Sequence, residues 1–205
     1  MSAIVAFIAN GKINGGVAIE REILSCDRII AVDGGLKFCS KMGITPNQII
    51  GDFDSVSSAL LEEYSHVDKK TFPKDKDKTD LELALEMEKF EKGKIYGAVG
   101  GRVDHLLGNI ILLSRYRGRV FIETEKETLF ILHREVEMEC FKGQVISLIP
   151  LNGKVEGVCS QGLKWELKDA VLDKNFIGIS NQCLSKSFFI SAAKGDLLCC
   201  LNKVK

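Results

Sequence analysis

The first 120 or so residues alternate short apolar runs with segments of helical periodicity, and this alternation constrains the fold more than any other feature. The predicted strands are Ile4–Ala9, Arg28–Val32, Gln48–Ile50, Lys69–Phe72, Lys94–Val99 and Arg119–Glu123. The predicted helices are Val17–Ser25, Leu36–Met42, Ser57–Tyr64, Asp80–Phe90 and His105–Tyr116. Strands that alternate with helices predict a mostly parallel sheet covered on both faces, with ligands at the carboxyl ends of the strands.

After about residue 124 the helical periodicity fades and short β-rich pieces follow one another. These pieces are Thr128–Leu132, Glu135–Glu139, Val145–Pro150, Lys154–Cys159, Ala170–Val171, Gly178–Ser180, Ser187–Ser191 and Asp196–Leu201. The turn signals Lys142-Gly143, Asn152-Gly153 and Lys194-Gly195 are predicted to separate them. We therefore expect an α/β N-terminal domain over residues 1–124 and an all-β sandwich C-terminal domain over residues 125–205.

Charge and cysteine content exclude several classes of protein. The 205 residues carry 28 basic and 28 acidic side chains, and this balance argues against a nucleic-acid binder, which usually has a basic surplus. Seven cysteines make an odd number without a Cys-x-x-Cys pair, which favours free thiols in a reducing cytosol. The N-terminus lacks the basic start of a signal peptide, and no apolar stretch approaches the ~20 residues that cross a bilayer. We expect a cytoplasmic protein without a membrane segment.

The run Gly51-Asp52-Phe53-Asp54-Ser55 directly follows an apolar strand. If this run is extended, Asp52 and Asp54 project to the same side. Two carboxylates ~4 Å apart repel by about 4 kcal/mol at an effective dielectric constant near 20, and a divalent cation between them removes that repulsion. Oxygen ligands without nearby histidine or cysteine favour Mg²⁺ over Zn²⁺. The alternative is a turn or a helix cap, for which Asp and Ser are also common.

A second acidic cluster runs from Pro73 to Asp80, immediately before a predicted helix. Thr79 and Glu82 have the spacing of a capping box, and Asp80 suits the first helical turn. The alternation of acidic and basic residues before the cap, Asp77 included, fits a site where carboxylates hold Mg²⁺ and ammonium groups neutralise phosphate oxygens. A solvated charge run would have the same pattern.

The third cluster is a glycine-rich turn, Gly97–Gly101, followed by Arg102, Asp104 and His105. Glycines allow the backbone to approach a phosphate closely, Arg102 can bind phosphate oxygens in a bidentate manner, and Asp104 can cap a helix that begins at His105. Glycines at a strand–helix turn are also frequent without a ligand, and the run is neither a dinucleotide fingerprint nor a P-loop.

Together, these motifs occur in the order and approximate spacing seen in thiamine pyrophosphokinases, and the sequence resembles that family over nearly its whole length. The motifs are Asp33-Gly34-Gly35, Gly51-Asp52-Phe53-Asp54-Ser55, Asp77-x-Thr79-Asp80, Gly100-Gly101-Arg102-x-Asp104-His105, Gly162-Leu163-Lys164-Trp165-Glu166-Leu167 and Ser180-Asn181.

The resemblance implies an enzyme that transfers the terminal pyrophosphate of ATP to the hydroxyl of thiamine and releases AMP. It also implies a homodimer whose active sites form between one subunit's α/β domain and the other's sandwich. Carried over, the metal ligands for Mg²⁺ are Asp52, Asp54 and Asp80, and one of these or Asp77 would accept the alcohol proton. The implied nucleotide-binding residues are Asp33, Gly34, Thr79, Arg102, Asp104 and His105.

The implied thiamine-binding residues are Ser180, Asn181, Trp165 and Lys76. Trp165 offers a π surface to a cationic thiazolium, although a single tryptophan is more often a core anchor. At Lys76 many relatives carry a glutamine or an acidic residue, so this lysine is a departure within the set. Two alternatives stay open at this stage: a pyrophosphokinase for another alcohol such as a hydroxymethylpterin, and a non-catalytic nucleotide sensor.

Overall fold

The computed structural model describes residues 3–14 and 16–203. The strands are Ile4–Ile8 (β1), Arg28–Val32 (β2), Gln48–Gly51 (β3), Asp68–Thr71 (β4), Lys92–Tyr96 (β5), Val120–Glu123 (β6), Glu127–Ile131 (β7), Glu135–Glu139 (β8), Val145–Gln161 (β9), Ala170–Leu172 (β10), Gly178–Gln182 (β11), Ser187–Ser191 (β12) and Lys194–Asn202 (β13). The helices are Val17–Leu24 (α1), Gly35–Met42 (α2), Ser58–Glu63 (α3), Asp80–Met87 (α4) and Val103–Leu113 (α5), followed by a 3₁₀ turn at Ser114–Tyr116.

The chain forms two compact units. The first contains the residues up to Asn109 together with Ile122–Glu125, and the second contains Ile110–Phe121 and the residues from Lys126 onward. The assignment of residues 1–124 and 125–205 as functional domains stays a prediction.

The first unit contains a parallel sheet with the strand order β4-β3-β2-β1-β5. Its register aligns the strand ends: Ile8 pairs with Ala31 and Tyr96, and Val32 pairs with Ile50. β1 to β3 are almost entirely buried, which explains their continuous apolar sequences. The parallel sheet with helices that the sequence predicts is confirmed for this unit.

Helix boundaries in the first unit follow local chemistry. α2 ends at Gly43, whose φ of 65° is the left-handed conformation that glycine adopts without strain. The hydroxyl of Ser57 accepts a hydrogen bond from the backbone N–H of Leu60 and caps α3. α4 begins with a complete capping box between Thr79 and Glu82, as the sequence predicts.

The second unit consists mainly of antiparallel strands in the order β7-β13-β9-β12-β8, with β10 and β11 also paired to β9. The 17-residue strand β9 pairs with β13 through most of its first half and with β12 through the end of its second half. Ile146 and Leu148 from the first half share a buried cluster with Val155 and Val158 from the second half. Parallel strands in one unit, antiparallel strands in the other and five α-helices among the described residues give a mixed α/β fold.

One predicted strand separation is wrong, and a second predicted turn lies two residues too late, although its flanking strands are separate as predicted. Asn152-Gly153 does not reverse the chain but lies inside β9, where positive φ angles of 56° and 114° bend a continuous strand. Lys194-Gly195 opens β13, and the register shift between Lys194 and Asp196 is a bulge and not a turn. A glycine with positive φ can thus mark a bend or a bulge as well as a hairpin.

The helix predicted over His105–Tyr116 begins earlier, at Val103, and ends at Leu113 before the 3₁₀ turn. Asp104 therefore lies in the first helical turn and is not the cap that precedes it. No helix among the described residues is long and apolar enough to span a membrane.

Candidate active site

Polar side chains follow three neighbouring parallel strands of the first unit. Asn10 comes after β1, Asp33 directly after β2, and the segment Asp52–Ser55 directly after β3. Because parallel strands end at the same edge of a sheet, these residues meet there. One carboxylate oxygen from each of Asp33, Asp52 and Asp54 lies within 4.8 Å of the other two.

The backbone that brings Asp52 and Asp54 together is a turn. Phe53 has a φ of 61°, so the extended geometry that the sequence analysis considered for this segment is wrong. The turn is closed by a hydrogen bond of 3.1 Å from the backbone N–H of Asp54 to Oδ1 of Asp52. The two carboxylates are close because the chain curls around them, and not because side chains alternate along a strand.

Asp33 is held by residues from two other loops. Its Oδ2 accepts a hydrogen bond of 2.7 Å from the hydroxyl of Ser55 and a longer one of 3.5 Å from the amide of Asn10. Its Oδ1 is buried and accepts no hydrogen bond from any residue that the structure describes. A buried carboxylate oxygen without a donor is costly unless a cation or water satisfies it. Next to two further carboxylates, this oxygen fits a divalent cation with oxygen ligands.

Gly34 completes the packing around Asp33. It precedes the first residue of α2, and a Cβ atom built on it would lie only 2.0 Å from Oδ1 of Asn10. A residue without a side chain is therefore required for Asn10 to reach Asp33 and Ser55.

Two lysines from the loop after β4 pair with these carboxylates. Nζ of Lys76 lies 3.1 Å from Oδ2 of Asp52 and 3.1 Å from Oδ1 of Asp80. Nζ of Lys74 lies 2.8 Å from Oδ2 of Asp54. The Lys76 side chain is only 14% exposed, whereas that of Lys74 is 77% exposed. Asp80 thus joins the carboxylate group through Lys76 and is not one of the three residues whose oxygens cluster directly.

Hydrogen bonds and burial shift the pKa values of the side chains in this group in opposite directions. The backbone N–H of Asp54, helped by Lys76, lowers the pKa of Asp52. Burial raises the pKa of Asp80, and Lys76 only partly offsets it. Burial alone would lower the pKa of Lys76, but its hydrogen bond to Asp52 and its ion pair with Asp80 raise it, so its ammonium group stays protonated.

The other residues predicted for the nucleotide and for proton transfer make contacts outside the aspartate cluster. Thr79 serves the capping box of α4, where its hydroxyl accepts from the N–H of Glu82 at 3.2 Å. Asp77 is exposed in the loop before the helix. Arg102 and Asp104 pair with each other through contacts of 3.1 and 2.5 Å, and Asp104 also accepts from the N–H of His105 at 2.9 Å. The Arg102 guanidinium lowers the pKa of Asp104.

Local sequence patterns do not indicate that Ser55 and Asn10 support Asp33, and the family resemblance implies only a nucleotide-binding role for Asp33. The sequence signal that could identify these two residues is their position, since each follows a strand of the same parallel sheet. The hydrogen bonds between them join residues 22 to 45 positions apart, which local sequence patterns do not reveal.

Comparison with known proteins identifies the family of this sequence. The sequence model of the thiamin pyrophosphokinase catalytic domain matches residues 19–122, and that of the thiamin pyrophosphokinase vitamin B1 binding domain matches residues 130–196. The chain belongs to the thiamin pyrophosphokinase family. The family resemblance that the motifs predict is therefore confirmed.

Individual members of the thiamin pyrophosphokinase family align over much of the chain. Thiamine pyrophosphokinase of Bacillus subtilis (strain 168) is 31% identical over 186 residues, which is 82% of this chain and 84% of that protein. Thiamine pyrophosphokinase 1 of rice (Oryza sativa subsp. japonica) is 29% identical over 144 residues, 62% of this chain but only 54% of that protein.

Solved structures of the thiamin pyrophosphokinase family share the fold. A crystal structure of the Bacillus subtilis thiamine pyrophosphokinase has a TM-score of 0.86 at 24% identity, covering 98% of this chain and 100% of that one. The crystal structure of yeast thiamin pyrophosphokinase has a TM-score of 0.82 at 17% identity, covering 98% and 86% of the two chains.

The residues that the resemblance assigns to thiamine lie in the second unit, apart from Lys76. Asn181 is buried, and its side chain accepts from the N–H of Trp165 at 3.1 Å and donates to the carbonyl of Trp165 at 2.7 Å. Residue Trp165 itself is 53% exposed, so it is not a core anchor. Nζ of Lys164 lies 4.4 Å from the centre of its ring. Ser180 has a φ of 59° and donates its N–H to the hydroxyl of Ser147 at 3.1 Å.

Proposed function

We propose that this protein is a thiamine pyrophosphokinase, which transfers a pyrophosphoryl group from ATP to the hydroxyl of thiamine and forms thiamine diphosphate and AMP. The observation that carries the proposal is the cluster of Asp33, Asp52 and Asp54 with its unsatisfied Asp33 oxygen, in a chain that belongs to this family. Such a cluster suits a reaction in which negative charge on phosphate oxygens must be neutralised.

The charge of the group supports a divalent cation as cofactor. Asp33, Asp52, Asp54 and Asp80 carry four negative charges when ionised, and Lys74 and Lys76 offset two of them. The net charge of minus two that remains before any ion binds attracts a divalent cation such as Mg²⁺, whose preferred ligands are carboxylate oxygens and water. When bound, Mg²⁺ neutralises and orients the polyphosphate. Asp52, Asp54 and Asp80 are the proposed ligands, and Asp33 is added on the strength of its free oxygen.

The chain's own residues would supply the remaining steps. One of the clustered carboxylates, or Asp77, accepts the proton of the attacking alcohol. The guanidinium of Arg102, with Asp104 and His105 beside it, contributes to the nucleotide site together with Gly34 and the helix start at Thr79. In-line placement of the alcohol against the β-phosphorus depends on both substrates being held at once.

We also propose separate roles for the two domains. Residues 1–124 would form the ATP- and Mg²⁺-binding α/β domain, and residues 125–205 a β-sandwich that binds thiamine and dimerises. A homodimer with shared sites would bring Ser180, Asn181 and Trp165 of the partner subunit to the substrate. The exposed Trp165 ring already attracts the ammonium of Lys164, which supports its role as a surface for the cationic thiazolium. The seven free thiols support a cytoplasmic location.

An assay of AMP release tests the activity and separates the alternatives. Purified protein is incubated with ATP and Mg²⁺, with thiamine, with a hydroxymethylpterin or with no acceptor. We expect AMP and thiamine diphosphate in equal amounts in the incubation with thiamine, and no AMP in the other two incubations. AMP release only in the incubation with the pterin would indicate a pyrophosphokinase for that alcohol. Nucleotide binding without AMP release in any incubation would indicate a non-catalytic sensor.

A further inference from the structure

The ammonium group of Lys76 occupies a position lined by oxygen atoms. Its Nζ lies 3.1 Å from Oδ2 of Asp52, 3.1 Å from Oδ1 of Asp80 and 3.1 Å from the carbonyl oxygen of Pro73. The two carboxylates are themselves only 14% and 18% exposed. The side chain therefore lies where a cation is held by oxygens from three points of the chain.

With this contact, each oxygen of Asp52 accepts a hydrogen bond. Its Oδ1 accepts the N–H of Asp54 and its Oδ2 accepts the ammonium of Lys76. A divalent ion that binds Asp52 Oδ2 must therefore approach the ammonium closely and be repelled by it, or displace it. Among the described residues, Oδ1 of Asp33 has no hydrogen-bond partner and the Asp54 carboxylate pairs with the exposed Lys74, so Lys76 is the main obstacle within the group.

We propose that Lys76 is a built-in cation that holds Asp52 and Asp80 in place before the divalent ion binds and is displaced from them when it does. This inference rests on the divalent-ion site of the proposed function. Lys76 acts on the metal ligands and is thus a positioning residue. Without it, two half-buried carboxylates next to Asp33 and Asp54 would repel one another in the metal-free protein.

A consequence is coupling between the ion and the polyphosphate. Once released from Asp52 and Asp80, the ammonium of Lys76 is available to a phosphate oxygen of the nucleotide. Each ligand then makes the binding of the other more favourable, and the coupling is reciprocal. The nucleotide-free enzyme would bind divalent ions weakly, whereas the enzyme with bound nucleotide would bind them tightly.

The test measures Mn²⁺ binding in the absence of nucleotide, by the loss of the free-ion EPR signal. The wild type is compared with Lys76→Met, which removes the charge, with Lys76→Arg, which keeps it, and with Lys74→Met as a matched exposed lysine. We expect Lys76→Met to bind Mn²⁺ about tenfold more tightly, since a little-exposed charge is screened less than an exposed one. Lys76→Arg and Lys74→Met should stay within about threefold of the wild type. A merely structural role would predict weaker binding after substitution.

Thermal unfolding of the same proteins gives a second readout. In chelator, Lys76→Met should melt at a lower temperature than the wild type, and saturating Mn²⁺ should raise its melting temperature more than that of the wild type. If Lys76→Met does not fold in chelator, Lys76→Gln replaces it, because the amide can still donate to one carboxylate.

Equal or weaker Mn²⁺ binding by the uncharged variant, or an equal gain in Lys74→Met, would overturn the proposal. So would undetectable binding in both the wild type and the Lys76 variants, because removal of the ammonium should open the site. These outcomes are independent of the proposed activity, which the wild type reveals by AMP release with thiamine. The wild type can pass that assay while the Lys76 proposal fails.

Discussion

The carboxylate of Asp33 accepts a hydrogen bond of 2.7 Å from the hydroxyl of Ser55, although 22 residues separate them. Its other oxygen, Oδ1, is buried and has no hydrogen-bond donor in the part of the chain that the structure describes. Ser55 thereby links the loop after β2 to the loop after β3.

Replacement of Ser55 by alanine should weaken divalent-ion binding by roughly 10- to 100-fold, the usual effect of removing a residue that supports a metal ligand. The activity at limiting Mg²⁺ should fall by a similar factor, and excess Mg²⁺ should restore most of it. Ser57→Ala is the matched control, because the hydroxyl of Ser57 caps α3 by accepting the N–H of Leu60. Normal Mg²⁺ dependence in Ser55→Ala would show that Asp33 needs no such support.

Asp52→Asn and Asp54→Asn should each abolish pyrophosphoryl transfer and leave the fold intact, because an amide cannot replace a charged ligand for Mg²⁺. AMP release reports the activity, and circular dichroism reports the fold. Asp75→Asn, in the exposed loop before α4, is the charge-matched control. Near-normal turnover of either site variant at limiting Mg²⁺ would refute the metal assignment.

Gly97→Ala and Gly101→Ala should differ sharply although both lie in the glycine-rich turn. Gly97 has a φ of 74°, and a Cβ there would lie 2.5 Å from the carbonyl oxygen of Ala9, whereas a Cβ on Gly101 meets nothing within 4 Å. We expect Gly97→Ala to lower the free energy of unfolding by about 1 kcal/mol or more. Urea denaturation of both variants checks this, and equal stabilities would contradict it.

The buried thiol of Cys39 should make the protein less stable in alkali. Burial raises the pKa of Cys39 from 9.0 to about 12. The thiol therefore ionises first in the unfolded chain, so its contribution is complete below pH 9 and is lost as the pH rises toward 12. The loss is at most about 1.4 kcal/mol per pH unit.

Urea denaturation at pH 8 and pH 10 measures this effect. Cys39→Ala is less stable at both values because it leaves a small cavity, but its free energy of unfolding should fall less between them. An equal fall in both proteins would mean that Cys39 does not contribute.

Most helices and strands of the first unit could be predicted, because neighbouring residues in the sequence determine strand burial and helix caps. The capping box of Thr79 and Glu82 and the strand Arg28–Val32 are examples in which adjacent residues decide the structure. The bend at Asn152-Gly153 could not be distinguished from a hairpin turn, because both use positive φ angles. The outcome depends on β13 and β12, which pair with the two halves of β9 from distant parts of the chain.

The residues of the candidate site also divide into those that local sequence predicts and those that it does not. Asp52 and Asp54 stand out because they follow a strand within five residues. The contact of Lys76 with Asp52 spans 24 residues, and no local pattern in the sequence indicates it. Side-chain pairing across loops depends on the packed fold, and single-sequence patterns do not report it.

The most direct test of the divalent-ion site is equilibrium Mn²⁺ binding by the wild type and by Asp33→Asn, with Asp75→Asn as the control. We predict that Asp33→Asn binds the ion at least about tenfold more weakly and that Asp75→Asn binds it like the wild type. An affinity of Asp33→Asn equal to that of the wild type would contradict a site built from carboxylates at the ends of β2 and β3.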